Sequence, residues 1–108
     1  MSEIHHVTEN NFQAEVLEAN QPVVVDFTAV WCGPCKMLDP VIKELAESWD
    51  GKVKVVKLDV DTNANIAMQS HVMGVPTLML FVEGEPKEHL TGYQPRKRIE
   101  KKFASYIR

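Results

Sequence analysis

The apolar positions of this chain alternate between helical and strand-like patterns. Phe12, Val16 and Leu17 recur at helical spacing within NFQAEVLEA, residues 11 to 19, with Thr8, Asn10 and Asn11 as capping candidates. PVVVDFTA, residues 22 to 29, is a short, nearly unbroken apolar run rich in β-branched side chains, which predicts a central strand covered on both faces. From Pro34 onward, Met37, Leu38, Val41, Ile42, Leu45 and Trp49 mark one apolar stripe, and Gly51 stands where a helix would stop. Pro40 lies inside that helix and predicts a kink. KVKVVKL, residues 52 to 58, reads as a second buried strand, and TNANIAMQS, residues 62 to 70, as a short helix. TLMLFVEGEPKEHLTG, residues 77 to 92, reads as a hairpin turned at Gly84, with Pro86 at or beyond the turn. Ile99, Phe103, Tyr106 and Ile107 give the stripe of a closing helix that starts near Pro95.

The predicted order is β-α-β-α-β-α-β-β-α, an α/β arrangement. Strands separated by helices should lie parallel and the final hairpin should add an antiparallel pair, giving a mixed sheet with helices on both faces.

Composition narrows the class. The 108 residues show no repeat, linker or low-complexity tract, so residues 1–108 are read as one domain, large enough to bury a core. A make-up of 44% hydrophobic and 25% charged residues is that of an ordinary globule. The formal net charge of -3 argues against nucleic acid or an anionic membrane as the main partner, because both reward positive charge. MSEIHHVTEN lacks a basic segment followed by an apolar run, and no apolar run approaches membrane-spanning length. A cytoplasmic location is therefore expected, and in a reducing compartment close cysteine pairs are more often catalytic or metal-binding than structural.

Both cysteines of the chain lie in AVWCGPCKM, residues 29 to 37. As a staple, Cys32–Cys35 would close a ring of four residues, worth about 2 kcal/mol before strain is subtracted. As a zinc site, the pair supplies two of the four ligands required. His5, His6, His71 and His89 do not fall at the spacing that completes it. As a redox couple the spacing fits the chemistry. A helix start after Cys32 presents unpaired N–H groups and the positive end of the helix dipole, which favour a thiolate. Cys32 should then be the exposed, attacking sulfur, and Cys35, one turn in and facing the core, the thiol that resolves the mixed disulfide.

Asp26 is the second anomaly, a carboxyl within a run of Val and Phe. Alternation places Val24, Asp26 and Thr28 on one strand face, and burial there should raise its pKa. Six residues before Cys32, it is placed to accept and return the Cys35 proton; the plainer reading is a carboxylate paired with Lys57, and the two are compatible. Trp31 beside Cys32 is either a core aromatic or a cover for the site that offers apolar contact area. In MGVPT, residues 73 to 77, Pro76 opens a strand, and sequence physics does not decide its isomer. His71 and His89 read as surface residues, and Arg96, Lys97 and Arg98 as a solvated helix face.

With these residues assembled, the whole chain resembles the thioredoxin family. The resemblance is carried by VDFTAVWCGPCK, KLDVD, GVPTLMLF, and by Gly84 and Gly92 in the final hairpin. It implies the thioredoxin fold, a central mixed five-stranded sheet flanked by four helices. It implies a protein disulfide reductase with no bound cofactor, monomeric, recharged by a thioredoxin reductase drawing on NADPH, and acting on assorted disulfide-bearing proteins. By position, Cys32 is the nucleophile, Cys35 the resolving thiol, Asp26 the buried acid/base and Lys57 its neighbour. Pro76 is expected to be cis and to face the disulfide, with the Val75 backbone pairing with an extended substrate. Trp31, Gly33, Pro34, Gly74, Val75 and Gly92 are expected to form the contact surface. Thr28 stands where many bacterial members carry tryptophan, and Tyr93 where a small residue is usual; Met73 and Tyr93 should sit near that surface. A redox-sensitive binding module or subunit is the competing reading, and an oxidase or isomerase a third.

Overall fold

The computed structural model describes residues 4–107; residues 1–3, where the stretch read for an export signal begins, and Arg108, the last residue of the expected domain, lie outside them. In chain order the elements are β1 (His5–His6), a π-helical turn (Gln13–Leu17), β2 (Val23–Thr28), α1 (Gly33–Ser48), β3 (Lys54–Asp59), α2 (Ala64–Gln69), β4 (Thr77–Val82), β5 (Glu85–Thr91) and α3 (Arg96–Phe103), followed by a 3₁₀ turn (Ala104–Tyr106). The five strands form one sheet in the order β1-β3-β2-β4-β5. The α/β architecture and the mixed sheet expected from the sequence are what is observed.

Residues Val23 to Phe27 are all buried because β2 is central and both of its faces are covered. Val23, Val25 and Phe27 pack with Phe12, Val16, Val56, Leu58, Met79 and Phe81 beneath the π turn and α2. Val24 points the other way, into a cluster with Leu38, Ile42 and Leu45 of α1, Leu78 and Leu80 of β4, and Ile99 and Phe103 of α3. Each such side chain taken fully out of water contributes about 1.5–3 kcal/mol, so two apolar layers either side of one sheet account for the fold's cohesion.

One expected strand direction is wrong. β1 and β2 both run parallel to β3, as strands joined through helical crossovers should. β4, which also follows a helix, instead runs antiparallel to β2. The hairpin partner β5 is antiparallel to β4 as expected. Its turn is the two-residue pair Glu83 (φ 53) and Gly84 (φ 82), a doubly left-handed turn whose twist matches that of the strands. Gly84 also abuts the π turn: a Cβ there would lie 2.8 Å from the Leu17 carbonyl oxygen. Pro86 falls inside β5 rather than beyond the turn, opposite Phe81 at a register shift on the sheet edge, where a missing N–H is tolerated.

Two further expectations change. The segment read as a helix over residues 11 to 19 is a π-helical turn in which the Glu18 N–H reaches back to the Gln13 carbonyl at 2.9 Å. A helical piece this short is shaped by tertiary contacts, here Phe12 edge-on to Phe81 and Lys54 Nζ donating to the Glu15 carbonyl at 2.9 Å. Its N-cap is Phe12, with no side-chain cap hydrogen bond, so the capping expected of Thr8, Asn10 or Asn11 is not observed. In the turn before it the Asn11 side chain accepts from the Thr8 N–H at 2.7 Å and the Thr8 hydroxyl from the Asn10 N–H at 3.2 Å. On α1, Leu38, Ile42, Leu45 and Trp49 are buried but Met37 is 62% exposed, because the face α1 turns to the core is narrower than the stripe the sequence offered. Among the described residues no helix is long and apolar enough to cross a membrane.

Candidate active site

β2 ends at Thr28 and the chain turns through Ala29–Trp31 into α1, so the strand delivers Cys32 to the helix start. Cys32 is the N-cap of α1 (φ -92, ψ 113), Gly33 opens the helix and Pro34 sits in its first turn. The Cys32 Sγ accepts a hydrogen bond from the Cys35 N–H at 3.2 Å. That is one of the N–H groups a helix start leaves without a backbone partner, and it is directed at the sulfur that would carry charge on reduction. The two cysteines are joined as a disulfide across a Cα–Cα distance of 5.3 Å.

Cys32 is not the exposed sulfur that the sequence predicted. Both cysteines are 3% exposed. They form a small apolar cluster with Ala29, against which Val60 and Val75 pack. In the oxidised pair the Cys32 sulfur is turned onto the helix start and covered by these neighbours.

Val75 belongs to the segment facing the cysteines. The Val75–Pro76 peptide bond is cis, as the resemblance implied. Thr77 Oγ1 donates to the Gly74 carbonyl at 2.7 Å, and the Gly92 N–H donates to the Pro76 carbonyl at 2.7 Å, fixing the segment from both sides. Gly92 does so with φ +87, a conformation unfavourable for residues with a Cβ. Tyr93, next along the chain, is 41% exposed.

Trp31 is 68% exposed and therefore not a core aromatic. Its Nε1–H donates to Asp61 Oδ2 at 2.7 Å. With Val60, Ala67, Val72, Met73, Gly74 and Val75 it lines an open groove of about 240 Å³, and Met73 at its rim is 95% exposed. The loop that holds Asp61 is braced from the N-terminal segment. The Glu9 N–H donates to Asn63 Oδ1 at 2.8 Å, and Glu9 Oε2 accepts from the Asn65 N–H, in the first turn of α2, at 3.0 Å. Buried Asn63 in turn donates to the Asp59 carbonyl at 3.0 Å.

Within central β2, Asp26 is 1% exposed and its Oδ1 has no hydrogen-bond partner. Burial pushes its carboxyl up from an ordinary 3.8 to about 7; Lys57 opposes the rise and Asp39 adds to it. Lys57 stands beside Asp26 in the β2–β3 register, but its ammonium does not pair with that carboxyl. It donates instead to Asp39 Oδ1 on α1, at 2.6 Å. The plain Asp26–Lys57 ion pair considered from the sequence is therefore replaced by Lys57–Asp39. Cys35, Asp39 and Lys57 share a second cleft, of about 260 Å³, with His6, Lys36 and Asp59 at its sides. Among the described residues no group of three or more His, Cys, Asp or Glu side chains is arranged to hold a metal ion.

Comparison with known proteins decides the family. A family model described as Thioredoxin matches residues 3–105. The chain belongs to the thioredoxin family. It is similar to a thioredoxin of Rickettsia felis, 46% identical over 95 residues that cover 88% of this chain and 90% of that protein. A thioredoxin of Alicyclobacillus acidocaldarius is 45% identical over 101 residues, 94% of this chain and 95% of its own. Thioredoxin 1 of Nostoc sp. is 39% identical over 107 residues, covering 99% of this chain and 100% of its own.

As a thioredoxin-family oxidoreductase the chain exchanges dithiol for disulfide, and its redox-active group is the Cys32–Cys35 pair. Two site features of this family member escaped sequence reasoning. Asp39 lies four residues after Cys35, one turn along the same helix face, and that spacing was the available signal. Asp61 as the anchor of Trp31 left no signal, since the contact spans 30 residues between separate loops.

Proposed function

We propose that this chain is a general protein disulfide reductase, with Cys32 as the attacking nucleophile and Cys35 as the resolving thiol. The observation that carries the assignment is the N-cap placement of Cys32, whose sulfur accepts the Cys35 N–H. That arrangement favours negative charge on Cys32 over Cys35. In the reduced chain the Cys32 thiolate attacks one sulfur of a substrate disulfide. A Cys32–substrate S–S bond forms, the substrate S–S bond breaks, and the leaving thiolate takes a proton from solvent. Cys35 then gives up its proton, attacks the Cys32 sulfur and expels the second substrate thiolate, so two electrons pass to the substrate and the Cys32–Cys35 disulfide re-forms.

Asp26 is the acceptor for the Cys35 proton in this reading. A carboxyl that titrates at about 7 is poised between its two forms near neutrality, where a proton acceptor and donor works best. Lys57 modulates it from the neighbouring strand. Trp31, Gly33, Pro34, Gly74, Val75, Pro76, Gly92 and Tyr93 form the surface that receives an extended substrate segment around the disulfide. A thioredoxin reductase supplied by NADPH returns the electrons. The protein works as a cytoplasmic monomer of a single domain.

The test is turnover of a protein disulfide with NADPH and a thioredoxin reductase. Wild type should turn over; Cys32→Ser should lose all turnover, and Cys35→Ser should accumulate a mixed disulfide through Cys32. Turnover persisting in Cys32→Ser, or mixed disulfides formed through Cys35 instead, would overturn the assignment.

A further inference from the structure

Three elements bring charge to one cleft, whose Lys57 is the register neighbour of Asp26. β3 contributes Lys57, beside Asp26 in register, and Asp59 two residues on. α1 contributes Cys35, Asp39 and Lys36, and β1 contributes His6 at the side of the same cleft. On the remaining sides β4 presents Leu78 and Leu80, and α3 presents Ile99 and Phe103, none of which titrates. Lys57 is thus the cation nearest to Asp26 in the strand register, its side chain is only 15% exposed, and Asp39 has taken it. The unpartnered Asp26 Oδ1 is the complement of that pairing.

We propose that Asp39 is a positioning residue for proton transfer at Cys35: by engaging the Lys57 ammonium it leaves the Asp26 carboxyl without a cationic partner, and so sets the pH at which Asp26 can exchange a proton with Cys35. The inference rests on Asp26 being the acid/base of the proposed reductase. Asp39 touches neither sulfur nor substrate in this role. It acts through Lys57, which lies beside the carboxyl on one side and beside the α1 face on the other. Removing Asp39 frees an ammonium on a flexible four-carbon stem, next to a buried carboxyl that lacks a partner. An opposite charge brought within about 4–6 Å lowers a carboxyl pKa by roughly 1–3.

The experiment compares wild type, Asp39→Ala, Asp39→Asn, Lys57→Met and the Asp39→Ala/Lys57→Met double variant. The Asp26 carboxyl is titrated by NMR in the intact oxidised chain, and the pH profile of insulin disulfide reduction is measured for the reduced chain. Asp39→Ala and Asp39→Asn should move the Asp26 titration down by about one pH unit or more, and carry the acid limb of the rate profile with it. Lys57→Met should move both upward. On the Lys57→Met background Asp39→Ala should shift them much less than it does alone. An unmoved titration in both Asp39 variants would overturn the proposal. So would an equal shift with and without Lys57, since Asp39 would then act only as a distant charge. Asp26→Asn serves as the control: if it leaves the rate profile unchanged, the acid/base role of Asp26 fails, whereas a changed profile with inert Asp39 variants removes the Asp39 role alone.

Discussion

Replacing Asp26 by Asn should make the folded chain more stable, and by an amount that depends on pH in a definite way. In the unfolded chain this carboxyl titrates near 3.8, while burial raises it to about 7 in the fold. Between those two values the folded state keeps a proton that the unfolded state has released, so stability falls as pH rises through the window. Below the lower value both states are protonated and the penalty is absent; above the upper one it is complete. At 1.36 kcal/mol per pH unit, a rise from 3.8 to about 7 corresponds to on the order of 4 kcal/mol. That is a large share of the roughly 5–15 kcal/mol typical of a domain. Asn keeps the shape of the side chain and never ionises, and its own cost of burial does not vary with pH. The quantity to measure is therefore the stability difference between Asp26→Asn and wild type, by urea unfolding of the oxidised proteins from about pH 4.5 to about pH 9. The difference should widen in favour of the variant by several kcal/mol, most of it before neutrality. Parallel stability curves, or a difference that narrows as pH rises, would refute the reasoning, since either means that Asp26 carries no desolvated charge in the fold.

Gly84→Ala should cost about 1–3 kcal/mol in urea unfolding, because the added Cβ meets the Leu17 carbonyl at 2.8 Å on a residue held at φ +82; a variant as stable as wild type would show that the π turn yields freely. Tyr93→Ala should leave reduction of a small disulfide reagent unchanged but alter catalytic efficiency differently for different protein disulfides, because Tyr93 follows the glycine whose N–H holds the Pro76 carbonyl. Equal efficiency on every protein substrate would remove Tyr93 from partner choice.

Much of the architecture was legible because it is written locally. An unbroken Val-rich run can only be comfortable between two covered faces, and the residues from Val23 to Phe27 lie there. A glycine at the apex of an apolar-flanked pair of strands marks a left-handed turn, and Gly84 makes one. The direction of β4 was not legible, since periodicity reports which face a residue occupies and is blind to which way the strand runs. Met37 was misjudged for a related reason. Two adjacent apolar residues on a helix lie about 100° apart, and contact with a sheet buries Leu38 while leaving its neighbour in water. At the site, the CxxC spacing and the buried carboxyl could be read from residue types alone. The partner of Lys57 could not, because three charged groups compete for two pairings and side-chain geometry decides between them.

The brace from Glu9 through Asn63 to the loop bearing Asp61 has a consequence beyond local order. The Trp31 indole donates to an acceptor on a loop that Glu9, more than fifty residues earlier in the chain than Asn63, helps to hold. A substitution at Glu9 or Asn63 can therefore reach the indole beside Cys32 without touching either cysteine. The setting of the disulfide thus depends on residues far from it in the chain.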